Sequence, residues 1–483
     1  MLAHRPFTQG EVGDNAFYDY IAQTILRGGI PYRDVVDIKG PGAPYLSALA
    51  MLTGRFMGLR DILAVRALHV VMVGLLSLVT FLVARAYLTN RAAGLVACII
   101  PLMRYQFSEF MIGGTQPKLP MMIFGMLSLL MVVKDKPFLA GVYSMLSCLC
   151  WQPGLMFTGA AFLIFSRYLT NWRDWRAIKV VLGAAIPFMV VAVYFYSRNA
   201  FGELWSLTIT YNYTVFGPEA KRSLGDALVH VWKVLKRVYE YDIVVVPLAA
   251  LGYGSYLFAR LKEKFKLWKT FTFKDALRDV LLISPAVYLI FCLINFQAGP
   301  DLIPLIPFIG IFAAYFLLVL GRLLISTSPG HTKWRDAPWD AWLNSFAAAL
   351  ILLLILVRSG TYKPPGATIQ DQDRAFTKVS ELLGPNDKIY VHGTTEVLVL
   401  LNRANLNPYV DFDWGKDDYI ARKKYNGSFE ALLDEVERQA PKIVSITRLK
   451  AVAHRDDLER WVAEHYDSLE VSGYQGFYIR KQD

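Results

Sequence analysis

The sequence predicts a polytopic α-helical membrane protein that carries an α/β domain at its C-terminal end. Hydrophobic residues make up 54% of its 483 residues, and charged residues only 19%. Its apolar runs are long enough to cross about 30 Å of hydrocarbon, which takes roughly 20 helical residues. After residue 358 the chain becomes charged and alternates strand-like and helical patterns, which is typical of a small domain outside the membrane.

The apolar runs begin at Ile62, and they predict about ten membrane spans. The runs cover residues 62–84, 92–106, 118–134, 137–151, 154–169, 178–197, 243–259, 279–296, 303–321 and 341–357. Residues 42–58 are less apolar and contain Arg55, so we predict a helix that lies in the membrane interface. The predicted domains are an extracytoplasmic catalytic loop with interfacial helices at 1–61, a transmembrane domain at 62–358, and a soluble domain at 359–483.

The basic residues indicate how the chain is oriented. They gather in alternate loops between the apolar runs, including Arg85 with Arg91, Lys134 with Lys136, and the stretch 260–278. Loops of this kind face the cytoplasm. We therefore expect a multi-pass protein of the bacterial inner membrane whose first loop and C-terminal domain lie on the periplasmic or extracellular side. The net charge of +11 then reflects contact with lipid headgroups of the bilayer, and no nucleic-acid partner is predicted.

The polar stretch 9–41 precedes the spans and carries the candidate chemistry. Asp14 and Tyr18 are four residues apart, so a helix that begins near Asp14 places both side chains on one face. Gly28 and Pro31 predict the end of this helix.

A cluster of both charge signs follows on a loop punctuated by proline, and it consists of Arg33, Asp34, Asp37 and Lys39. An acid that accepts a proton and cations that hold a phosphate could both come from this loop. The alternative is a solvated loop whose charges face water.

The pattern of the whole stretch resembles a known family. Asp14-Asn-Ala-Phe-Tyr18, followed by Asp37-Ile-Lys39-Gly-Pro41, resembles the first extracytoplasmic loop of the GT-C glycosyltransferases, which use polyprenyl-phosphate sugars. Its branch looks like the protein mannosyltransferase and aminoarabinose (lipid A) transferase group. There the loop reads roughly Asp-Glu-x-x-Tyr and then acid-Lys-Pro-Pro. This chain departs from that pattern at Asn15, where Glu is usual, and at Gly40, which interrupts the double proline.

The resemblance implies a reaction and a set of partners. A hexose or pentose moves from a polyprenyl-phosphate donor to a hydroxyl of a glycolipid, glycan or protein acceptor, with inversion, at the outer face of the membrane. Asp14 acts as the catalytic base. The ligands of the donor phosphate are Lys39, Arg33, Arg66 and Lys118, and the other substrate contacts are Tyr18, Asp34, Asp37, Glu109 and Gln116.

Two of these cations keep an alternative role. Arg66 either pairs with the phosphate through its guanidinium group or extends toward the lipid headgroups. Lys118 opens a span, where an unpaired ammonium is costly, so it either binds the phosphate or forms a salt bridge with Glu109. Asp301 occupies a place where relatives usually carry a basic or aromatic residue.

No cofactor is predicted, because the leaving group is already a phosphate ester and a divalent metal is optional. If a metal is bound, we expect Asp14 and Asp37 to be its ligands. The alternative function is a transporter or flippase of a lipid-linked sugar, which predicts ionisable residues near mid-bilayer and two related halves. The sequence shows neither feature. A further alternative is another polyprenyl-linked enzyme, such as an O-antigen ligase or polymerase.

Residues 1–13 are too short and too polar to form a span or a signal peptide. GT-C relatives have a first span directly before this loop, so we expect either a misplaced start codon or an absent first span. Apolar codons in frame upstream of Met1 would indicate the first option, and a stop codon there would exclude it.

The C-terminal domain is expected to cover the site or to dock the acceptor. Its predicted strands are 387–392, 442–446 and 476–480, and its predicted helices are 368–383, 428–439 and 454–465.

Overall fold

The computed structural model describes residues 5–11, 13–103, 110–166, 175–216, 222–266, 276–326, 339–361, 366–449 and 452–481. Helices dominate the part of the chain before residue 362. They are α1 (Gly13–Leu26), α2 (Gly42–Phe56), α3 (Asp61–Leu88), α4 (Arg91–Met103), α5 (Lys118–Val133), α6 (Pro137–Cys150), α7 (Leu155–Phe165), α8 (Trp175–Ser197), α9 (Phe201–Trp205), α10 (Leu224–Tyr239), α11 (Val245–Lys266), α12 (Val280–Ile294), α13 (Ile306–Ser326) and α14 (Trp339–Thr361).

Each predicted apolar run coincides with a helix. Within the described residues, 5 helices are long and apolar enough to cross a membrane, namely Asp61–Leu88, Trp175–Ser197, Asp242–Phe265, Leu277–Ile294 and Gly299–Leu323. The remaining runs form shorter apolar helices, such as the 16-residue α5. A helix rises 1.5 Å per residue, so a helix of that length falls short of the hydrocarbon thickness. Length and composition therefore support 5 spans outright.

Helix α2 forms where an interfacial helix was predicted. Its Leu49 and Phe56 side chains are exposed, and Arg55 in its last turn pairs with Asp61 at 2.7 Å. An exposed apolar face beside charged groups suits a position between lipid and water.

The described residues between 198 and 242 are largely helical. Helix α9 continues into a π-helix at Ser206–Phe216, and α10 follows. Helix α10 is amphipathic and is capped by Ser223, whose hydroxyl accepts a hydrogen bond from the Asp226 N–H at 3.2 Å.

The region after residue 366 is an α/β unit. Its elements are α15 (Ile369–Leu382), β1 (Ile389–His392), α16 (Thr395–Leu401), α17 (Lys416–Lys424), α18 (Phe429–Arg438), β2 (Ile443–Ile446), α19 (Arg455–His465), β3 (Tyr466–Ser468) and β4 (Phe477–Arg480). The sheet order is β1-β2-β4-β3. Strands β1 and β2 are parallel, with Ile389 opposite Ile443, and the other pairs are antiparallel. The three predicted strands and three predicted helices are confirmed, whereas β3, α16 and α17 were not predicted.

The first loop shares a hydrophobic core with this α/β unit. Tyr18 and Ile21 of α1 belong to the same buried cluster as Phe376 and Val391. Burying one such side chain contributes on the order of 1.5–3 kcal/mol. Backbone pairing adds to the contact, because the Ile369 N–H donates to the Thr8 carbonyl at 2.9 Å. The loop is therefore held between the α/β unit and the long apolar helices, which have a core of their own.

Candidate active site

Helix α1 brings two predicted residues to the wall of one cavity. The helix begins at Gly13, whose N–H donates to the Glu396 carboxylate at 2.9 Å. Asp14 and Tyr18 both line a cavity of about 130 Å³, as their spacing on one helix face predicted. Asp14 is exposed, whereas Tyr18 is buried. The acid is thus open to a bound substrate.

Asp37 and Lys39 line the same cavity. The Lys39 ammonium lies 4.8 Å from the centre of the Tyr18 ring, a cation–π contact. It has no carboxylate within ion-pair distance among the residues that the structure describes. Burial lowers the pKa of Lys39, and the nearby positive charge of Lys118 lowers it further. A cation with so few partners is suited to bind an anion.

Hydrogen bonds fix the backbone on either side of Lys39. One Asp37 carboxylate oxygen accepts the N–H groups of Ile38 and Lys39 at 2.7 and 3.2 Å. The Ile38 carbonyl accepts the side-chain amides of Gln152 and Asn212 at 2.7 and 2.8 Å. The sequence analysis assigned no role to either amide. Their signal was weak, since each is a single polar residue in a predicted outer segment.

Burial also sets the ionisation of Asp37. It raises the pKa of Asp37 to about 6, although the Lys39 charge and the two N–H groups oppose this rise. The carboxylate is therefore ionised at neutral pH but close to the range in which it takes up a proton.

Close packing explains why this chain has Gly40, the position at which its loop departs from the double proline of the resembling family. A Cβ atom on Gly40 would lie 2.2 Å from the Leu149 carbonyl oxygen at the end of α6. Only glycine allows the loop to approach α6 this closely. On the other side, the Tyr32 hydroxyl donates to the Lys39 carbonyl at 2.7 Å. The departure therefore belongs to the packing that positions Lys39.

Arg33 and Asp34, predicted to contact the donor phosphate and the substrate, lie outside the cavity lining. They pair with each other at 2.8 Å on the surface. Arg33 also donates to the Arg198 carbonyl at 3.1 Å, and Asp34 accepts the Ile30 N–H at 2.7 Å. The pair closes the turn after α1, because each side chain is already bound to its neighbours.

The surroundings of Arg66 do not favour the phosphate role predicted for it. Arg66 is 0% exposed and pairs with Glu11, itself 0% exposed, at 2.7 Å. It also donates to the carbonyl oxygens of Pro6, Gly10 and Gly113 at 2.8, 3.0 and 3.2 Å. A guanidinium group occupied in this way neither reaches a phosphate nor extends to headgroups. It anchors the N-terminal segment to α3.

The same cluster includes Asp19 of α1, next to Glu11. Its carboxylate accepts the Thr115 N–H at 3.1 Å. Burial raises the pKa of Glu11 well above its usual value, and burial raises the pKa of Asp19 to about 6. These buried acids hold α1 against the loop before α5.

Lys118 has a buried carboxylate partner. Its ammonium pairs with Asp301 at 3.0 Å and lies 4.7 Å from the Trp151 ring centre. Asp301 also accepts the N–H of Gln297 at 2.8 Å, and Gln297 lines the cavity. Lys118 therefore acts on the cavity indirectly, by its charge on Lys39 and by positioning the Gln297 loop.

Gln116 is buried away from the cavity lining. Its N–H donates to His69 at 3.1 Å, and its side-chain oxygen accepts the Lys118 N–H at 3.4 Å. Glu109 lies outside the described residues.

The α/β unit supplies charged residues that the sequence analysis did not identify. Asp411, Asp413, Lys416 and Arg448 line the cavity with the first loop. Arg448 follows the carboxyl end of β2, where loops of parallel strands commonly build binding sites. The run from Asp411 to Lys416, which combines acids with an aromatic residue, was the signal that could have indicated this site.

The two carboxylates of this run differ in environment. Burial alone would raise the pKa of Asp411, but the Lys416 ammonium, which bonds to it, holds that pKa below its usual value. Burial and the negative charge of Asp411 raise the pKa of Asp413 to about 6, against the opposing charge of Lys416.

Two cavity residues have strained backbones. Trp414 has φ of +63° and Arg448 has φ of +59°. For side chains of this size the left-handed region is uncommon, and it costs on the order of 1–3 kcal/mol per residue. Functional sites often contain such strained residues, and both of these line the cavity.

Metal binding gains no direct support from this cavity. Within the described part of the chain, no three His, Cys, Asp or Glu side chains come together in a way that could hold a metal ion. The cavity brings together the exposed acid Asp14, the cation Lys39 and further carboxylates.

No protein-family model and no curated protein matches this chain. Solved structures do match. ArnT from Cupriavidus metallidurans bound to undecaprenyl phosphate aligns with a TM-score of 0.58 and 11% identity, over 98% of this chain and 94% of that chain. Its apo state aligns with a TM-score of 0.59 and 12% identity, over the same 98% and 94%.

The apo oligosaccharyltransferase from Archaeoglobus fulgidus aligns with a TM-score of 0.51 and 14% identity, over 98% of this chain and 71% of that chain. Identities this low establish the fold alone. Both neighbours are GT-C enzymes. The chain therefore has the fold of the GT-C superfamily, as the motif of its first loop predicted.

Proposed function

We propose that this protein is an inverting glycosyltransferase of the bacterial inner membrane. It moves a hexose or pentose from a polyprenyl-phosphate carrier to a hydroxyl of a glycolipid, polysaccharide or protein on the outer side. The observation that carries the proposal is the shared cavity of Asp14, Tyr18, Asp37 and Lys39. The fold adds support, since the ArnT structure that it matches contains undecaprenyl phosphate.

Lys39 binds the phosphate of the donor. Its ammonium has no competing ion pair among the described residues, and its backbone is held by Asp37, Gln152 and Asn212. As the bond between the sugar and the phosphate breaks, the electron pair goes to the phosphate oxygen. The fixed positive charge stabilises the negative charge that develops there.

Asp14 acts as the base. Its carboxylate accepts the proton of the acceptor hydroxyl while the hydroxyl oxygen forms a bond to the anomeric carbon of the sugar. Attack opposite the leaving phosphate inverts that carbon. The products are the glycosylated acceptor and the free polyprenyl phosphate, and no step passes through a metal.

A carrier lipid explains why the cation belongs near an interfacial helix. The exposed apolar face of α2 follows the first loop directly along the chain. The prenyl tail can remain in the bilayer while the phosphate reaches Lys39. The predicted orientation, with the first loop outside, places this chemistry at the outer leaflet.

The test is the variant Asp14→Asn, with Asp373→Asn as the matched control. Asp373 lies in the α/β unit and pairs with Arg60 on the surface at 2.8 Å. Cells that lack the gene are complemented with each variant, and their envelope lipids and glycans are compared by mass spectrometry. We expect Asp14→Asn to lower transfer on the order of 10²–10⁴-fold, as removal of a general base does. The control should keep transfer.

Full transfer by Asp14→Asn would overturn the assignment of the base. If wild-type cells export a lipid-linked sugar that is never transferred by this protein, the transporter alternative is supported instead.

A further inference from the structure

We propose that Trp414, Phe216 and Asp413 form a subsite that binds a sugar ring. This inference rests on the proposed function, because it assigns part of the same cavity to the sugar. All three residues line that cavity.

An aromatic wall is the first argument. The rings of Trp414 and Phe216 meet edge to face, with centres 5.8 Å apart and an angle of 76° between planes. Trp414 stays 36% exposed although it lines a cavity. Part of its indole ring is therefore accessible to a ligand. The C–H bonds on one side of a sugar ring carry partial positive charge, which suits the negative face of an indole.

The way Trp414 is held is the second argument. Its backbone is kept in the left-handed region at φ of +63°, and the Tyr211 hydroxyl donates to its carbonyl oxygen. Tyr211 in turn packs against Tyr419 with ring centres 5.2 Å apart. The π-helix and the α/β unit together hold the indole in place. Packing of this kind prepares a ring for a ligand before the ligand arrives.

The third argument is an unsatisfied hydrogen-bond acceptor on the carboxylate of Asp413. One oxygen of Asp413 is buried and has no hydrogen-bond partner among the described residues. Asp411, by contrast, is occupied by the Lys416 ammonium and the Asp413 N–H. A buried acceptor without a donor is costly. Sugar hydroxyls are donors of the right kind, so an aromatic face beside a free carboxylate suits a sugar.

The sugar has two possible sources. It is either the residue carried by the polyprenyl phosphate or a sugar of a glycan or glycolipid acceptor. The chemistry of recognition is the same for both, so the experiment has to separate them.

Binding is measured by saturation-transfer NMR on the full chain in lipid nanodiscs. The probes are the methyl glycosides of glucose, galactose, mannose, arabinose and N-acetylglucosamine. We expect transfer of saturation to ring protons of at least one glycoside in the wild type. Trp414→Ala and Phe216→Ala should each weaken that binding about tenfold, because the apolar face is lost. Trp414→Phe should keep most of the glycoside binding of the wild type.

The matched control is Trp232→Ala, which removes an exposed tryptophan of α10 outside the cavity lining. It should bind glycosides like the wild type. Equal binding by Trp414→Ala and the wild type would overturn the subsite, as would the absence of binding of every glycoside to the wild type. Loss of binding in Trp232→Ala equal to that in Trp414→Ala would also overturn it.

The second arm compares undecaprenyl phosphate with undecaprenyl phosphate mannose, each as a competitor of glycoside binding. If the subsite takes the donor sugar, the mannosyl lipid competes more strongly than the bare lipid in the wild type. If it takes an acceptor sugar, the two lipids compete equally. In both cases binding is read without turnover. Glycoside binding by a protein that transfers nothing would therefore refute the transferase and leave the subsite standing.

Discussion

Arg66 and Lys39 are both cations close to the first loop, but their surroundings are opposite. Arg66 is fully buried and is occupied by Glu11 and several carbonyl oxygens. Lys39 is half-buried in an open cavity and has no ion-pair partner among the described residues. The cluster around Arg66 is complete within the protein, whereas Lys39 faces a cavity that has room for a ligand.

The difference has a physical basis. A buried charge costs several kcal/mol in lost hydration, and that cost is offset only when partners satisfy its hydrogen bonds. Arg66 has five donors in a fixed fork and uses them on carbonyl and carboxylate oxygens. Lys39 remains partly solvated, so it tolerates an empty cavity. The Arg66 cluster therefore contributes to stability, and Lys39 is the residue for which we propose ligand binding.

The largest effect is expected from Arg66→Met, which tests whether Arg66 stabilises the fold. The substitution leaves the Glu11 carboxylate buried without its cation, so we expect the free energy of unfolding to fall by about 3–5 kcal/mol. The measurement is the denaturation midpoint of the purified protein in detergent. Arg60→Met is the matched control, since its pair with Asp373 is exposed and is worth less than about 1 kcal/mol. Equal midpoints for the two variants would contradict the structural role of Arg66.

Lys39→Met should lower the transfer rate and leave the stability of the protein nearly unchanged. We expect the transfer rate to fall on the order of 10²–10³-fold, because a charge that stabilises the leaving phosphate is removed. The denaturation midpoint should stay near that of the wild type, since no ion pair is broken. Lys378→Met, in α15 outside the cavity lining, is the control for a lost surface ammonium. A normal transfer rate for Lys39→Met would contradict the assignment of Lys39 as a ligand of the donor phosphate.

Asp37 and Asp34 are two carboxylates of the first loop with different surroundings, and their substitution should change the stability of the protein by smaller amounts. Burial raises the pKa of Asp37 to about 6, from a usual 3.8. Its ionised form therefore costs the folded state about 2–3 kcal/mol at neutral pH, at 1.36 kcal/mol per pKa unit. Asp37→Asn should stabilise the protein above pH 6, and the gain should fade between pH 6 and 4, where the wild-type carboxyl takes up its proton.

Asp34→Asn should change stability in the other direction. Its hydrogen bonds from Arg33 lower the pKa of Asp34, so the ionised form favours folding above its unfolded pKa, and that benefit is lost as pH falls. Because the pair is exposed, the loss at neutral pH should stay below about 1 kcal/mol. Denaturation midpoints at pH 4, 5, 6, 7 and 8 test both variants. A destabilising effect of Asp37→Asn at pH 8 would contradict the burial argument.

Local patterns in the chain predicted much of this arrangement. A helix that begins near Asp14 was predicted to place Asp14 and Tyr18 on one face, and α1 forms there. Apolar runs predicted each long helix, because hydropathy needs no tertiary context. Alternating patterns likewise predicted β1, β2 and β4. The roles of Arg33, Asp34 and Arg66 could not be read in this way, since a charge in a sequence does not reveal its partner.

By itself, the sequence determined the helical membrane class and the α/β unit, and it indicated the first loop as the proposed place of the chemistry. These follow from periodicity and from residue spacing within one element. Only the tertiary structure decided which charges are free and which are occupied, and that Asp413, Trp414 and Arg448 share a cavity with Asp14. The reason is distance along the chain. Residues some four hundred positions apart meet only after the first loop and the α/β unit have buried a common core.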